Sequence, residues 1–298
     1  MKLLSNKKVA KYIFPVFATL FILVIFSVLL LSSATNTFTE VQGGQITEDG
    51  IAVPIIMYHS ILKNSHLGKY VITPEEFEDD IRYLSEHKYN SITMADLINY
   101  VYNNGDIPLN PVMITFDDGN LNNYLYGQPV LKKYNMKAVV SVIGSYTEAF
   151  SKVPYPTNDP AYAHVSWDQI KAMSDSGYFE IQNHSYDLHH ISKRNGSKRR
   201  KGESLESYRN MLVSDVMKLQ NKLTTTCGIT PNTFTYPYGA ISKESNEILK
   251  EMGFKATLTC SEGVNLINKD IKDPLYGLKR YNRPHGIASE RFFKKICP

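Results

Sequence analysis

From residue 51 onward, short apolar runs alternate with longer segments in which apolar residues recur every three or four positions. The first kind suits buried strands and the second amphipathic helices. Strands are predicted at 53–59 (VPIIMYH), 112–116 (VMITF), 138–144 (AVVSVIG), 178–182 and 233–236, with further candidates at 255–260 and 278–281. Thr73-Pro74-Glu75-Glu76 and Ser166-Trp167-Asp168-Gln169 read as capping boxes, the first with proline at the first helical position. The helix after Thr73 places Phe77, Ile81 and Leu84 on one face, and the helix after Ser166 stops at Gly177. Further helices are predicted at 94–102, ending near Gly105, around 122–134, at 203–223, and at 242–252, closed by Gly253; Ser289 is expected to cap a terminal helix. Strands alternating with helices imply a parallel sheet with crossover connections. Closed into a barrel or left open, such a sheet gathers chemistry at the C-terminal ends of its strands.

The N-terminal part follows another pattern. Residues 13–31 carry no charge and are rich in Ile, Leu, Val and Phe; Lys2, Lys7, Lys8 and Lys11 precede them. At about 1.5 Å per residue such a helix nearly spans a bilayer core, and the lysines hold its N-terminal flank in the cytoplasm. Ser32-Ser33-Ala34 resembles a cleavage site, so a signal peptide is the rival reading; the length of the apolar run favours an uncleaved anchor. Residues 1–34 are therefore expected to be a basic flank and membrane anchor, 35–50 a polar linker, and 51–298 an exported domain, secreted if the leader is cleaved. The formal net charge of +4 comes from those four lysines, which leaves the body neutral and gives no footprint for nucleic acid. The local exception is 193–201 (KRNGSKRRK), expected to be a solvated loop, with a polyanion-facing patch as the alternative. Cys227, Cys260 and Cys297 show no CxxC spacing, which excludes a cysteine zinc site and leaves one disulfide or free buried thiols.

Three clusters fall at predicted strand ends. Thr115-Phe116-Asp117-Asp118-Gly119 places two adjacent carboxylates just past a buried strand, where each needs a partner or solvent. Alone, such a sequence can be only a turn. His184-Ser185-Tyr186-Asp187-Leu188-His189-His190 holds three histidines in seven residues. The spacing of His184 and His189 does not place them on one helix face, so they would converge through a loop. An aspartate and two histidines form the ligand set of a catalytic zinc site with an open position for water. Phe234-Thr235-Tyr236-Pro237-Tyr238-Gly239 is a strand end followed by a tight turn whose N–H groups could face an oxyanion.

In this order the three clusters resemble the polysaccharide deacetylase family (carbohydrate esterase family four, NodB-type domain), over about residues 53–290. The resemblance implies a distorted (β/α) barrel and a metal-dependent N-deacetylase, zinc being the implied metal. It makes Asp117 the catalytic base, Asp118, His184 and His189 the metal ligands, and the Tyr238 N–H part of the oxyanion hole. The common second motif has its second histidine four residues after the first; here that position is Leu188. The longer spacing is similar to the poly-N-acetylglucosamine deacetylase branch, with His190 as a less favoured substitute for His189. The arginine usual in the third motif is replaced by Thr235, and Arg280 and Arg283 are candidates to take its place. For the general acid, His59, which ends the first strand, is favoured over His285. Pro237, Tyr238, Trp167 and Tyr186 are candidate substrate contacts, although most of the 20 Tyr and 13 Phe are expected in the core. The implied substrates are poly-N-acetylglucosamine or peptidoglycan; an O-acetyl esterase of a wall polymer and a non-catalytic glycan binder are the alternatives.

Overall fold

The computed structural model describes residues 46–297 except 48–49, 64–65, 154–158 and 192–193. The predicted anchor at 13–31 lies outside the described residues, among which no helix is long and apolar enough to cross a membrane.

A parallel sheet carries the domain. Its strands are β1 (Ile55–Tyr58), β2 (Asn90–Ser91), β3 (Pro111–Phe116), β4 (Ala138–Val142), β5 (Phe179–Asn183), β6 (Thr233–Thr235), β7 (Ala256–Leu258), β8 (Tyr276–Leu278) and β9 (Tyr281–Asn282). They pair in the order β8-β7-β6-β5-β4-β3-β1-β9, and β2 pairs with β3. Only Lys279 and Arg280 separate β8 from β9, yet these strands sit at opposite edges of the order. The sheet must therefore curl until its edges nearly meet, which gives a curled parallel half-barrel that fits the (β/α) fold implied by the resemblance. Helices α1 (Pro74–Glu86), α2 (Met94–Tyr102), α3 (Gln128–Lys133), α4 (Gly144–Ser151), α5 (Trp167–Asp175), α6 (Leu205–Lys222), α7 (Ser245–Glu251) and α8 (Ser289–Ile296) join or follow the strands. The capping boxes at Thr73 and Ser166 both form.

Alternate strand residues feed two cores, as the period of two requires. Ile56, Ile114 and Val140 pack with Phe77, Leu131 and Ile170 from the helices. Ile55, Met113, Val139 and Leu258 point the other way and pack with Leu97 of α2. Burial on both faces explains why these strands read as continuous apolar runs. Towards the C-terminal strand ends the sequence turns polar: Ser141 and Thr235 share a 2.7 Å hydrogen bond.

Several boundaries differ from expectation. Pro54 divides the predicted strand 53–59, and Gly50–Val53 pairs instead with Ile46–Thr47 and Asn265–Ile267. Pairing thus begins inside the stretch read as linker. The predicted strand 278–281 is broken at Lys279-Arg280, because its two halves belong to opposite edges. Helix α4 has no capping side chain and escaped the pattern; Ile143 precedes it in extended backbone. Ser289 is not a cap: Ala288 holds that position, and the Ser289 hydroxyl donates to Asp80 at 2.6 Å.

Asp80 is fully buried and also accepts from Arg283 at 2.7 and 3.0 Å and from Tyr58 at 3.0 Å. This network ties β1, α1 and the start of α8 together. Burial holds the Asp80 carboxyl above its ordinary range despite Arg283. Arg283→Met is expected to cost about 3–5 kcal/mol at neutral pH, because it strands a buried carboxylate. A carboxyl whose pKa is raised in the folded state favours folding below its unfolded pKa and loses that contribution as pH rises. Urea unfolding should therefore show a smaller loss near pH 5 than at pH 7.5.

Candidate active site and its relatives

The site forms where β1, β3, β5 and β6 end. Asp117 remains in the ladder, its N–H donating to the Tyr58 carbonyl at 3.0 Å. Asp118 (φ 71°) and Gly119 (φ 70°) then turn the chain through left-handed backbone. A Cβ on Gly119 would meet Val142 at 3.0 Å, so both the angle and the space favour glycine. The ends of β5 and β6 also turn at a non-glycine residue with positive φ, Ser185 (72°) and Tyr238 (58°). Such conformations cost about 1–3 kcal/mol each and persist where the surroundings enforce them.

Asp117 is 2% exposed and receives a two-pronged clamp from Arg280, at 2.7 and 2.8 Å. Arg280 is itself fully buried and donates through Nε to the Thr259 carbonyl at 2.8 Å. Burial pushes the Asp117 carboxyl up, but Arg280, with His184 and His59, holds the pKa below the ordinary value. Of the two candidate arginines, the structure thus brings Arg280 to the site and ties Arg283 to Asp80.

Asp118, His184 and His189 converge. Asp118 Oδ1 lies 3.5 Å from His184 Nε2 and 3.2 Å from His189 Nε2, and one donor atom from each residue falls within 4.8 Å of the others. His184 Nδ1 lies 2.7 Å from the Thr235 carbonyl, which only accepts, so the ring proton belongs there and Nε2 keeps a lone pair. Asp118 Oδ1 is buried without a hydrogen-bond partner. A buried carboxylate oxygen facing two imidazole nitrogens is a cradle for a cation; the residues fit a divalent metal. Burial would raise the Asp118 carboxyl, yet His184 and His189 hold it well below the usual carboxylate range. The histidine loop is pinned from α6: Asp215 accepts the Tyr186 and Asp187 N–H groups at 2.8 and 2.9 Å. Ser185 Oγ accepts from Leu188 N at 3.2 Å.

These groups open into a cleft of about 580 Å³, also lined by His59, Tyr70, Asn120, Tyr238, Cys260 and Glu262. His59 packs against Tyr70 at 4.6 Å, and its Nδ1 is buried without a partner. Burial lowers its pKa, and Asp117 and Asp118 oppose that shift. His285 is not in the cleft lining; its Nδ1 meets Glu76 at 2.7 Å beside the α1 cap. His190 pairs with Asp187 at 3.1 Å and lines a different cavity. Pro237 is buried beneath the turn that presents Tyr238. Two expected substrate contacts need correction. Trp167 is only 8% exposed within the core, with its indole N–H on Glu148, and the Tyr186 ring is covered by Lys218 at 3.7 Å. Neither lines the cleft, whose aromatic residues are Tyr70 and Tyr238. In the basic run, Arg194 and Arg199 are engaged by Glu203 and Glu244. All three cysteines are free. Tyr70, Asn120, Glu262 and Asp215 stand in no motif, and no local signal marks them.

Comparison with known proteins identifies the family. The polysaccharide deacetylase family model matches residues 104–257, more than half of the chain. The poly-beta-1,6-N-acetyl-D-glucosamine N-deacetylase of Staphylococcus aureus is 26% identical over 201 residues, covering 67% of this chain and 64% of the relative. The Staphylococcus epidermidis protein of the same name is 28% identical over 210 residues, covering 70% and 68%. The chain thus matches just under two thirds of the length of the S. aureus relative. Among solved structures, a de-N-acetylase from Aggregatibacter actinomycetemcomitans superposes with a TM-score of 0.67 at 22% identity, over 81% of this chain and 99% of the other. IcaB from Ammonifex degensii gives 0.65 at 24% identity, over 83% and 97%. At these identities the structural likenesses speak to the fold. The family match itself shows that the chain belongs to the polysaccharide deacetylase family.

Proposed function

We propose that this protein is a metal-dependent N-deacetylase of β-1,6-linked poly-N-acetylglucosamine. The observation that carries the reading is the juxtaposition, in one cleft, of the Asp118–His184–His189 donor set with Asp117 held by Arg280. The names of the staphylococcal relatives support the substrate. The apolar stretch at 13–31 supports a place outside the cell membrane, where an extruded polymer is met.

Asp118, His184 and His189 would hold the metal, with zinc the favoured ion. A bound ion of this kind polarises the acetamide carbonyl and lowers the pKa of water to about 7. Asp117 takes the proton of the attacking water. Arg280 keeps that carboxylate ionised and aimed, since a bidentate guanidinium fixes both oxygens. The Tyr238 N–H, presented by the strained turn, supports the oxyanion. His59, in the cleft, hands a proton to the leaving amine; it is better placed than His285, which is engaged by Glu76. The products are acetate and a free glucosamine unit.

The test is acetate release by the purified full chain, supplied with zinc, from poly-β-1,6-N-acetylglucosamine, peptidoglycan and acetylated xylan in parallel. Release from the first above the others is expected. Preference for peptidoglycan would overturn the substrate, preference for xylan the bond class, and no release from any would favour a glycan binder. In the same assay, His59→Ala is expected to lower turnover by roughly 10²–10⁴-fold, whereas His285→Ala should leave it near wild type. The reverse pattern would reassign the acid.

A further inference from the structure

His184 and His189 are held in different ways. His184 rests on a backbone carbonyl, whereas His189 Nδ1 faces a side chain, the Tyr238 hydroxyl, at 3.0 Å. The same hydroxyl lies 3.1 Å from the His189 carbonyl oxygen, so one phenol oxygen spans the ring and the backbone of a single residue. We propose that the Tyr238 hydroxyl is a positioning group that fixes the tautomer and ring orientation of His189. The inference rests on reading Asp118, His184 and His189 as metal ligands.

A phenol has one proton and can accept at its oxygen, whereas a carbonyl only accepts. The Tyr238 proton therefore goes to the His189 carbonyl. The phenol oxygen is then left to accept from Nδ1, which must supply its own proton. Nε2, 3.2 Å from Asp118 Oδ1, is left with its lone pair facing the cradle. The opposite arrangement would aim the tyrosine proton at Nδ1 and set two oxygens with no proton between them at 3.1 Å. The rings stack obliquely at 4.3 Å, which further limits rotation of the imidazole. This gives the left-handed backbone of Tyr238 a second purpose beyond aiming its N–H: it lays the side chain back over the histidine loop. Gly239, also left-handed, lets the turn pass close to Cys260, where a Cβ would come within 2.9 Å.

Loss of a partner that orients a metal-bound histidine commonly weakens metal binding about 10–100-fold. Zinc affinity of the full chain, measured by competition with a chelator, should fall by about that factor in Tyr238→Phe, which keeps the ring. Tyr146→Phe serves as a control, because its ring also faces His189, edge-on at 6.4 Å; its affinity should match wild type. Nitrogen NMR of zinc-free protein should show His189 with its proton on Nδ1 in wild type and a mixture of tautomers in Tyr238→Phe. Unchanged zinc affinity together with an unchanged tautomer in Tyr238→Phe would overturn the proposal. Failure of wild type to bind zinc would instead overturn the metal-site reading, and the tautomer comparison would then decide the role of the hydroxyl.

Discussion

Asp117→Asn is expected to lower turnover by roughly 10²–10⁴-fold, the usual worth of a positioned general base, and also to weaken the fold. Both effects follow from the clamp. Arg280 is fully buried, and its guanidinium donates to both Asp117 oxygens. Asparagine removes the negative charge and offers one acceptor where there were two, leaving a buried cation uncompensated. Breaking such a pair costs about 3–5 kcal/mol, while replacing both members by apolar groups is often close to neutral. The double variant Asp117→Leu/Arg280→Met, apolar at both positions, should therefore recover much of the lost stability and none of the activity. Arg280→Met alone has a different signature. With the guanidinium gone, burial is free to raise the Asp117 pKa, so the acidic limb of the activity profile should move to higher pH. A profile that stays in place would show that Arg280 does not set the ionisation of the base. Denaturant unfolding and kcat/KM against pH, measured on the three variants, separate these effects.

Asp118→Ala and His184→Ala are expected to abolish metal binding, with a loss greater than the about 100-fold that removal of an outer partner brings. Each removes one of three donor atoms that lie within 4.8 Å of one another. The two variants should differ in stability. Asp118→Ala removes a buried oxygen that has no hydrogen-bond partner, but also a carboxylate that His184 and His189 hold in its ionised form, so its two effects on the metal-free protein oppose each other. His184→Ala loses a buried ring and leaves the Thr235 carbonyl without its 2.7 Å donor. Metal-free Asp118→Ala should thus lose less stability than metal-free His184→Ala. Metal affinity retained in either variant would remove that residue from the ligand set.

The strand ends were legible from sequence because a strand buried on both faces reads as an unbroken apolar run, and polar residues stand out where it stops. That was enough to bring Asp117, Asp118, His184, His189 and Tyr238 to one site through resemblance and spacing. What remained out of reach depends on contacts between residues far apart in the chain. Arg280 meets Asp117 across 163 positions, and Arg283 meets Asp80 across 203. Sequence offered both arginines for one place and held nothing to choose between them; the break between β8 and β9 makes the choice by aiming Arg280 inward. His285 looked well placed by its position near the end of the chain, but Glu76, already part of a helix cap, draws its ring away. Trp167 and Tyr186 show the limit of reading aromatics by type. One is core and the other lies under a lysine, whereas Tyr70 reaches the cleft from a segment that carries no motif.

Asp118, His184 and His189 are expected to hold a single metal ion on which deacetylation depends. This is tested by stripping the full chain with a chelator and titrating zinc back while following acetate release from poly-β-1,6-N-acetylglucosamine. Activity is expected to be absent at the start, to rise in proportion to added zinc and to level off at one equivalent per chain. Full activity in the stripped protein, unchanged by added zinc, would contradict the account.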